Sequence, residues 1–280
     1  MSCVRRAMGT LIHRAYAAIR DAGAITPASP GGHAFRGLGE GAKIAFPPGA
    51  IFGERWIEIG AHTLVGERVS LSCGMMPGVD LGPGSILRIG GGCSIGRGSH
   101  IVAHHSIDIG DDVFTGPYVY ITDQNHVYDD PDVPIGRQWP RNAAVAIGAG
   151  SWLGAGAIIL PGTRLGRHCV VAGGAVVRGE FPDHSVVAGV PARLVRTYDP
   201  ELGWHAPGDR PERGGRSEPA GRSEPAGRSE PGGRSEPGGR SEPGGRSEPG
   251  GRSEPDVMDA VATGTDGVEA DHPGLDRTSF

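Results

Sequence analysis

Aromatic residues are scarce in this chain, and their scarcity limits the folds that it can adopt. Phe, Trp and Tyr make up 5% of the 280 residues, whereas glycine contributes 50 residues and proline 24. An ordinary helical or α/β core needs more large side chains and fewer glycines. Glycine also does not recur at every third position, so the composition argues against a collagen-like chain as well.

Paired cysteines and long apolar runs are absent too. No CxxC motif occurs, and the four cysteines are too far apart for a disulfide scaffold or a zinc ribbon: Cys3, Cys73, Cys93 and Cys169. We therefore expect reduced thiols and a cytoplasmic location. Arginines interrupt every apolar run before residue 22, which argues against a secretory signal. No stretch approaches 18 apolar residues, so we expect no membrane span. The net charge of −5 argues against a nucleic-acid partner.

What the chain does have is an aliphatic residue at every sixth position. Fourteen of the following fifteen positions carry Ile, Leu or Val: Ile59, Val65, Leu71, Ile89, Ile95, Ile101, Ile109, Thr115, Ile121, Ile147, Leu153, Ile159, Leu165, Val171 and Val177. Glycine follows nine of them directly: Gly60, Gly66, Gly90, Gly96, Gly110, Gly116, Gly148, Gly154 and Gly166. Glycine fits where space is small or where φ is unusual.

This period predicts a parallel β-helix. A short strand and a tight corner fill six residues, and three such units form one triangular coil that pairs in parallel with the next. Residues 77–88 are expected to keep this pace, although their aliphatic positions are lost. Two extra residues before Ile109 predict a small bulge at a corner. Residues 127–144 leave the repeat as a long loop, and such loops are usually functional or disordered.

A second period of six residues occupies the C-terminal part and has the opposite meaning. Seven copies of Arg-Ser-Glu-Pro run from Arg216 to Pro255 without one aliphatic side chain. A segment with nothing to bury cannot offset its ordering entropy, so we expect disorder. The predicted domains are residues 1–34 (helix and linker), 35–198 (β-helix) and 199–280 (disordered tail).

Residues Val4–Ala22 have the pattern of a short amphipathic helix, with Leu11, Ala15, Ala18 and Ile19 roughly on one face. We expect this helix to pack beside the first coil or to cap it, and we expect no membrane contact. Membrane-surface association through its basic side chains and disorder are the two alternatives.

His126 is the candidate catalytic residue, because it lies where the chain leaves the repeat for the long loop. A histidine on a rigid scaffold beside such a loop can act as a general base near neutral pH. Asp123 is predicted at an outward corner, where it would contact the acceptor or position the imidazole. Asn125 is predicted at an inward position, where it would fill the interior or contact the acceptor. Trp139, on the loop, would help to shape the acceptor pocket.

Residues 147–196 resemble the C-terminal half of the hexapeptide-repeat acyltransferases, the group that includes the galactoside and maltose O-acetyltransferases. The motifs that carry the resemblance are Ser-Trp-Leu-Gly-Ala-Gly (151–156), Leu-Pro-Gly-Thr (160–163) and Ala-Gly-Val-Pro-Ala-Arg (188–193). The resemblance implies a left-handed β-helix, a homotrimer, and acetyl-CoA in the cleft between neighbouring columns. It also implies that His126 is the base of an O-acetyltransferase acting on a sugar or glycan precursor, with no metal.

The same resemblance implies the residues that meet acetyl-CoA. Small residues at two corners, Ala155 and Gly173, would let the backbone approach the pantetheine arm. Arg193 and Arg196 match basic residues that meet the phosphates, and Arg178 stands near a position where relatives often have lysine. Trp152, on the outer surface, would pack between subunits or touch the cofactor.

Two other functions compete with this one. Histidines at a subunit boundary hold zinc in the γ-class carbonic anhydrases, and His100, His104 and His105 form a cluster in which His105 is predicted inward and His104 near a corner. A zinc hydratase is therefore the first alternative. The second is a non-catalytic binding or scaffold protein that uses the tail as a tether.

Overall fold

The structure is a computed structural model, and it describes residues 2–74 and 80–209. The helix α1 spans Ser2–Gly23, and three short 3₁₀ helices span Pro30–Ala34, Glu54–Trp56 and Ile135–Arg137. The RSEP repeats, for which we expect disorder, lie outside the described residues. The side chain of Cys3 is not described either.

The remaining elements are short strands, numbered in chain order. They are β1 Gly37–Leu38, β2 Lys43–Ile44, β3 Ile51–Phe52, β4 Ile57–Ile59, β5 Leu64–Val65, β6 Ser70–Cys73, β7 Leu87–Ile89, β8 Ser94–Ile95, β9 His100–Ala103, β10 Ile107–Ile109, β11 Phe114–Thr115, β12 Tyr120–Thr122, β13 Gln124–Asn125, β14 Arg141–Asn142, β15 Val145–Ile147, β16 Trp152–Leu153, β17 Ile158–Ile159, β18 Arg164–Leu165, β19 Val170–Val171, β20 Val176–Val177, β21 Glu180–Phe181, β22 Ser185–Gly189, β23 Ala192–Asp199 and β24 Gly203–His205.

Within the described residues these strands form three long sheets, which are the faces of a triangular column. Face 1 has the order β1-β4-β7-β10-β15-β18-β21, face 2 runs β2-β5-β8-β11-β16-β19-β22, and face 3 runs β3-β6-β9-β12-β17-β20. Neighbouring strands within each of these runs are parallel, and each coil passes from face 1 to face 2 to face 3. At the C-terminal end β23 and β24 extend face 2 in antiparallel pairing. β23 ends at Asp199 and β24 spans Gly203–His205, so regular structure extends into residues 199–280, which were expected to form the tail.

The interior of the column confirms the period of six. All fifteen predicted inward residues are at most 4% exposed. Equivalent residues lie on one another in successive coils, as Ile59, Ile89, Ile109 and Ile147 do on face 1. Each buried aliphatic side chain contributes about 1.5–3 kcal/mol by leaving water, so these stacked columns are the main source of stability.

The glycine that follows the inward residue is required by space. At Gly116 a Cβ would lie 2.6 Å from the backbone nitrogen of Ala155, and at Gly154 it would lie 2.4 Å from that of Gly173. The other predicted glycines are crowded below 3.0 Å in the same way: Gly60, Gly66, Gly90, Gly96, Gly110, Gly148 and Gly166. At these nine positions, the corners of adjacent coils therefore stack too closely for a side chain.

The expectation that residues 77–88 keep the pace of the repeat was wrong. Ile89 would then lie on face 3, as Leu71 does, but it lies on face 1 in β7. Residues 80–86, which the structure describes, contain no strand. Trp56 Nε1 donates to the carbonyl of Gly82 at 2.9 Å, which ties residues 80–86 to the preceding coil.

Three insertions lie at this same corner, between face 3 and face 1, in successive coils. They are residues 80–86 before β7, the bulge of residues 104–106 after β9, and the excursion of residues 123–144 after β12. We call this edge of the column the insertion corner. The excursion is not irregular throughout, because β13 and β14 form an antiparallel ribbon at its base.

Candidate active site

Asp123 begins the excursion, and its carboxylate lies inside the column. The side chain is 0% exposed. Oδ1 accepts a hydrogen bond from the backbone N–H of His104 at 2.8 Å, and Oδ2 accepts from His105 at 2.8 Å and Ser106 at 2.7 Å. The predicted outward position is therefore wrong: the carboxylate holds the bulge of the preceding coil and is shielded from any acceptor in solvent. A buried carboxylate is tolerated here because it has three charge-assisted hydrogen bonds.

Asn125 and His126 lie just beyond Asp123 and point away from the interior. Asn125 belongs to β13 and is exposed, so its predicted inward position is wrong. His126 follows β13 directly and is also exposed. The ribbon of β13 and β14 fixes this stretch, because Gln124 pairs with Asn142 and Asn125 with Arg141. The chain therefore leaves the column at Asp123, three residues earlier than expected, and His126 lies on the excursion rather than at the last position of a coil.

His104, on the bulge, is the site residue that sequence reasoning undervalued. The expected arrangement of the two adjacent histidines is reversed: His105 is exposed, whereas His104 is half-buried. Nδ1 of His104 is buried and has no hydrogen-bond partner within residues 2–74 and 80–209. The two-residue insertion before Ile109 was the sequence signal for this site. An insertion in a strict repeat frees backbone N–H groups that need hydrogen-bond acceptors, and Asp123 supplies them here.

Burial is the main reason why the pKa of His104 is lowered from its ordinary value. The Asp123 carboxylate opposes this shift, and the charge of His126 adds to it. His126 therefore lies close enough to disfavour the charged form of His104, although the two residues come from different coils. At neutral pH the His104 imidazole is uncharged and can exchange hydrogen bonds with a hydroxyl group.

The loop between β13 and β14 presents aromatic and acidic groups. Trp139 is 74% exposed. The Gln138 side-chain amide donates to the carbonyls of Asp130 at 2.9 Å and Val133 at 2.8 Å, which holds the loop folded on itself. Arg141 and Asp129 form an ion pair across its base. A held loop of this kind can shape a pocket for a polar ligand.

The described cysteines are unsuited to nucleophilic chemistry. Cys73, Cys93 and Cys169 are buried and unpaired. Burial raises the pKa of all three thiols, and that of Cys73 rises to about 12, with the nearby Asp123 charge as the next cause. Since the thiolate is the reactive form, none of these groups is activated at neutral pH.

The residues expected to meet acetyl-CoA divide between two other places. Ala155 and Gly173 are exposed and lie in adjacent coils at the corner between faces 2 and 3, where the Gly174 N–H donates to the Ala155 carbonyl at 2.9 Å. Arg193 and Arg196 are exposed on β23. Arg178 is half-buried just after β20, at the insertion corner.

Face 3 therefore separates the Ala155 corner from the corner that carries His126. Within residues 2–74 and 80–209, no group of three or more His, Cys, Asp or Glu could hold a metal ion.

Comparison with known proteins agrees with this architecture. Residues 144–179 match the bacterial transferase hexapeptide family (six repeats). This segment of the chain is therefore similar in sequence to that family. A Bacillus cereus N-acyltransferase, AntD, solved with dTDP and 3-hydroxybutyryl-CoA, has a TM-score of 0.50 at 17% identity, over 61% of this chain and 87% of that one. This likeness concerns the fold, a left-handed parallel β-helix, and it confirms the expectation drawn from the resemblance.

Relatives by sequence carry the names of acetyltransferases. The Mycobacterium tuberculosis protein "Probable acetyltransferase Rv3034c" is 39% identical over 120 residues, which are 43% of this chain and 39% of that protein. The galactoside O-acetyltransferase of Lactococcus lactis is 33% identical over 114 residues, or 38% of this chain and 54% of the relative. The chain thus spans about half or less of the length of these two relatives.

Replacing Asp123 tests whether the bulge depends on the carboxylate. Asp123→Asn removes the charge and turns one acceptor atom toward a backbone N–H as a donor. We expect the free energy of unfolding to fall by about 2–4 kcal/mol, measured by urea denaturation at fixed protein concentration. Asp108→Asn is the control, since this exposed residue is 3.7 Å from Arg88 and should change stability by less than about 0.5 kcal/mol. Equal, small effects of both substitutions would contradict the assigned role.

The pKa of His104 provides a second test. In a histidine-detected NMR titration, His104 should change charge below the ordinary pH of about 6.5, and His126→Asn should raise its pKa by removing a neighbouring positive charge. Because the pKa of His104 is lower in the folded chain, the unfolded chain binds this proton at a higher pH than the folded chain does. The free energy of unfolding should therefore decrease as the pH falls below about 6.5. His168→Asn, at another corner, should leave the pKa of His104 unchanged. A pKa of His104 at or above its ordinary value would refute this electrostatic assignment.

Proposed function

We propose that this protein is an acetyl-CoA-dependent O-acetyltransferase that transfers the acetyl group to a hydroxyl of a sugar or glycan precursor. The observation that carries the proposal is the exposed imidazole of His126 at the base of a held loop, beside the uncharged His104. The names of the sequence relatives support the reaction class, and the hexapeptide β-helix supports the scaffold.

The proposed reaction is a direct transfer. A hydroxyl group is a weak nucleophile near neutral pH, so His126 takes its proton as the oxygen attacks the thioester carbonyl. A C–O bond forms, the C–S bond breaks, and the imidazolium returns the proton to the sulfur of CoA. A backbone N–H at a corner stabilises the developing oxyanion. The raised pKa values of the buried thiols support a route without an acyl-cysteine.

Different residues would hold the acceptor and the base. Asn125 directly precedes His126 in the chain, and His104 lies close enough for the charge of His126 to lower its pKa. Both side chains would therefore hydrogen-bond hydroxyls of the acceptor. Trp139 offers an aromatic surface on the loop. Asp123 would act only indirectly, because it fixes the bulge that carries His104.

The co-substrate acetyl-CoA would lie along the Ala155 corner. Ala155 and Gly173 project little from the surface, and an added Cβ at the neighbouring Gly156 or Gly174 would meet nothing within 4 Å. This open strip suits a thin pantetheine chain. Arg193 and Arg196 would meet the phosphates, since guanidinium groups bind them in a bidentate manner. Arg178 lies at the insertion corner, so it would meet the phosphates of a CoA molecule bound to a neighbouring column.

We further propose that the site forms between copies of a homotrimer. Five of the outward residues of face 1 are charged and exposed: Glu58, Arg88, Asp108, Arg164 and Glu180. Face 2 instead exposes Leu64, Phe114 and Trp152 at about half of their area, and face 3 exposes Tyr120. Large apolar patches mark interfaces, so faces 2 and 3 would contact neighbours while face 1 stays in solvent.

Catalysis by His126 is tested with the full chain, acetyl-CoA and a panel of sugars, with release of the CoA thiol as the readout. His126→Ala should lower kcat by about 10²–10⁴-fold and change KM for acetyl-CoA little, because the base acts on the acceptor. His168→Ala removes an exposed imidazole at another corner and should leave turnover intact. Undiminished turnover in His126→Ala would refute the mechanism.

The assembly is tested by charge on face 2. Phe114 and Trp152 are paired in adjacent strands, so Phe114→Glu with Trp152→Glu should prevent association and abolish turnover. Sedimentation should give three times the 28.9 kDa chain mass for the unchanged protein and a single chain for the variant. Ala146→Glu on face 1 is the control and should stay trimeric. A monomeric unchanged protein would overturn the proposal.

A further inference from the structure

The helix α1 has an apolar face that its own column leaves uncovered. At 100° per residue, six apolar residues fall within an arc of about 100°: Val4, Met8, Leu11, Ile12, Ala15 and Ile19. The five large side chains among them are 55–75% exposed. The expected packing of this face beside the first coil is therefore wrong.

Only the last turn of α1 is held by the column. Arg20 forms an ion pair with Glu67 at 2.6 Å, and Asp21 forms one with Lys43 at 3.2 Å. A Cβ at Gly23 would lie 2.6 Å from the Phe46 ring, so the end of the helix is closely packed. The preceding turns project from this attachment with their apolar side chains in solvent.

The charge around the apolar face is of one sign. Residues 2–20 contain four arginines and no Asp or Glu. Arg5 and Arg14 lie on either side of the apolar arc, and Arg6 and His13 lie opposite to it. Within residues 2–74 and 80–209, Arg20 is the one arginine of α1 with an ion-pair partner.

We propose that α1 docks the protein onto an anionic lipid bilayer, in the plane of the headgroups. An apolar face flanked by arginines is the arrangement that buries aliphatic side chains among acyl chains while guanidinium groups meet phosphates. No helix of the described residues is long and apolar enough to cross a bilayer, so the helix lies on the surface.

A second copy of α1 fits this face less well. Two apolar arcs facing each other would bring Arg5 and Arg14 of both helices together. Since residues 2–20 offer no carboxylate, these charges would repel each other along the contact. Lipid phosphates supply the missing negative charge. The inference is independent of the proposed chemistry.

The test is flotation of the full chain with lipid vesicles. Vesicles with roughly one-third phosphatidylglycerol should carry the protein to the top of a density gradient, and pure phosphatidylcholine vesicles should carry far less. Raising the salt from about 0.1 M to 0.5 M should weaken this binding, because the Debye length shortens. Failure to float with the anionic vesicles would overturn the proposal.

Two variants locate the binding face. Leu11→Gln with Ile19→Gln should reduce flotation about tenfold or more, since each aliphatic side chain adds to membrane affinity. Thr10→Gln, on the polar side, should float like the unchanged protein. Circular dichroism and the thermal unfolding temperature verify that the column is intact in both variants. If the double variant floats as well as the unchanged protein, the apolar face does not bind lipid. If the unchanged protein does not float and the double variant has a smaller oligomer mass, the face binds another copy of the chain and not lipid.

Discussion

The register of one coil on the next is the constraint on which the rest of the structure depends. Ile109 lies between Ile89 and Ile147 in an unbroken inward column, and the corner glycines allow adjacent coils to approach to less than a side chain's width. A slip by one residue would bring Asp108 and Arg88 into the core. Extra residues can therefore be accommodated only at corners, where they do not shift the strands.

Within the part of the chain that the structure describes, three insertions lie at a single corner of the column. Residues 80–86, the bulge with His104 and the excursion with His126 occupy successive coils of the insertion corner. Asp123 links two of them, because its carboxylate from one coil receives three N–H groups from the bulge of the coil before. His104 and His126 are 22 positions apart in the chain, and the Asp123 carboxylate fixes the backbone of the bulge that carries His104. The rigid column therefore fixes the position of the bulge that carries His104.

The regular part of this architecture could be predicted from the sequence, and the insertion corner could not. The fifteen inward positions followed from their spacing alone, because every coil of a repeat buries the equivalent residue. The same alternation fails where the repeat is interrupted. Extended past the end of β12, it predicted an outward Asp123 and an inward Asn125, and extended through the bulge it predicted an inward His105; each side chain has the opposite exposure. Backbone N–H groups that become free at a bulge can hold a charge inside the column, and no periodicity carries that information.

The separation of the two corners explains why one chain presents only part of the proposed site. Ala155 and Gly173 lie where face 2 meets face 3, whereas His126 lies where face 3 meets face 1. One face of the triangle is a strand of two to four residues with its corner, and at about 3.3 Å per residue its width is on the order of 15 Å. An imidazole side chain cannot reach across that width. A thioester laid along the Ala155 corner meets a base most directly when the insertion corner belongs to a neighbouring column, and the apolar residues of faces 2 and 3 are the surfaces that would bring two columns together.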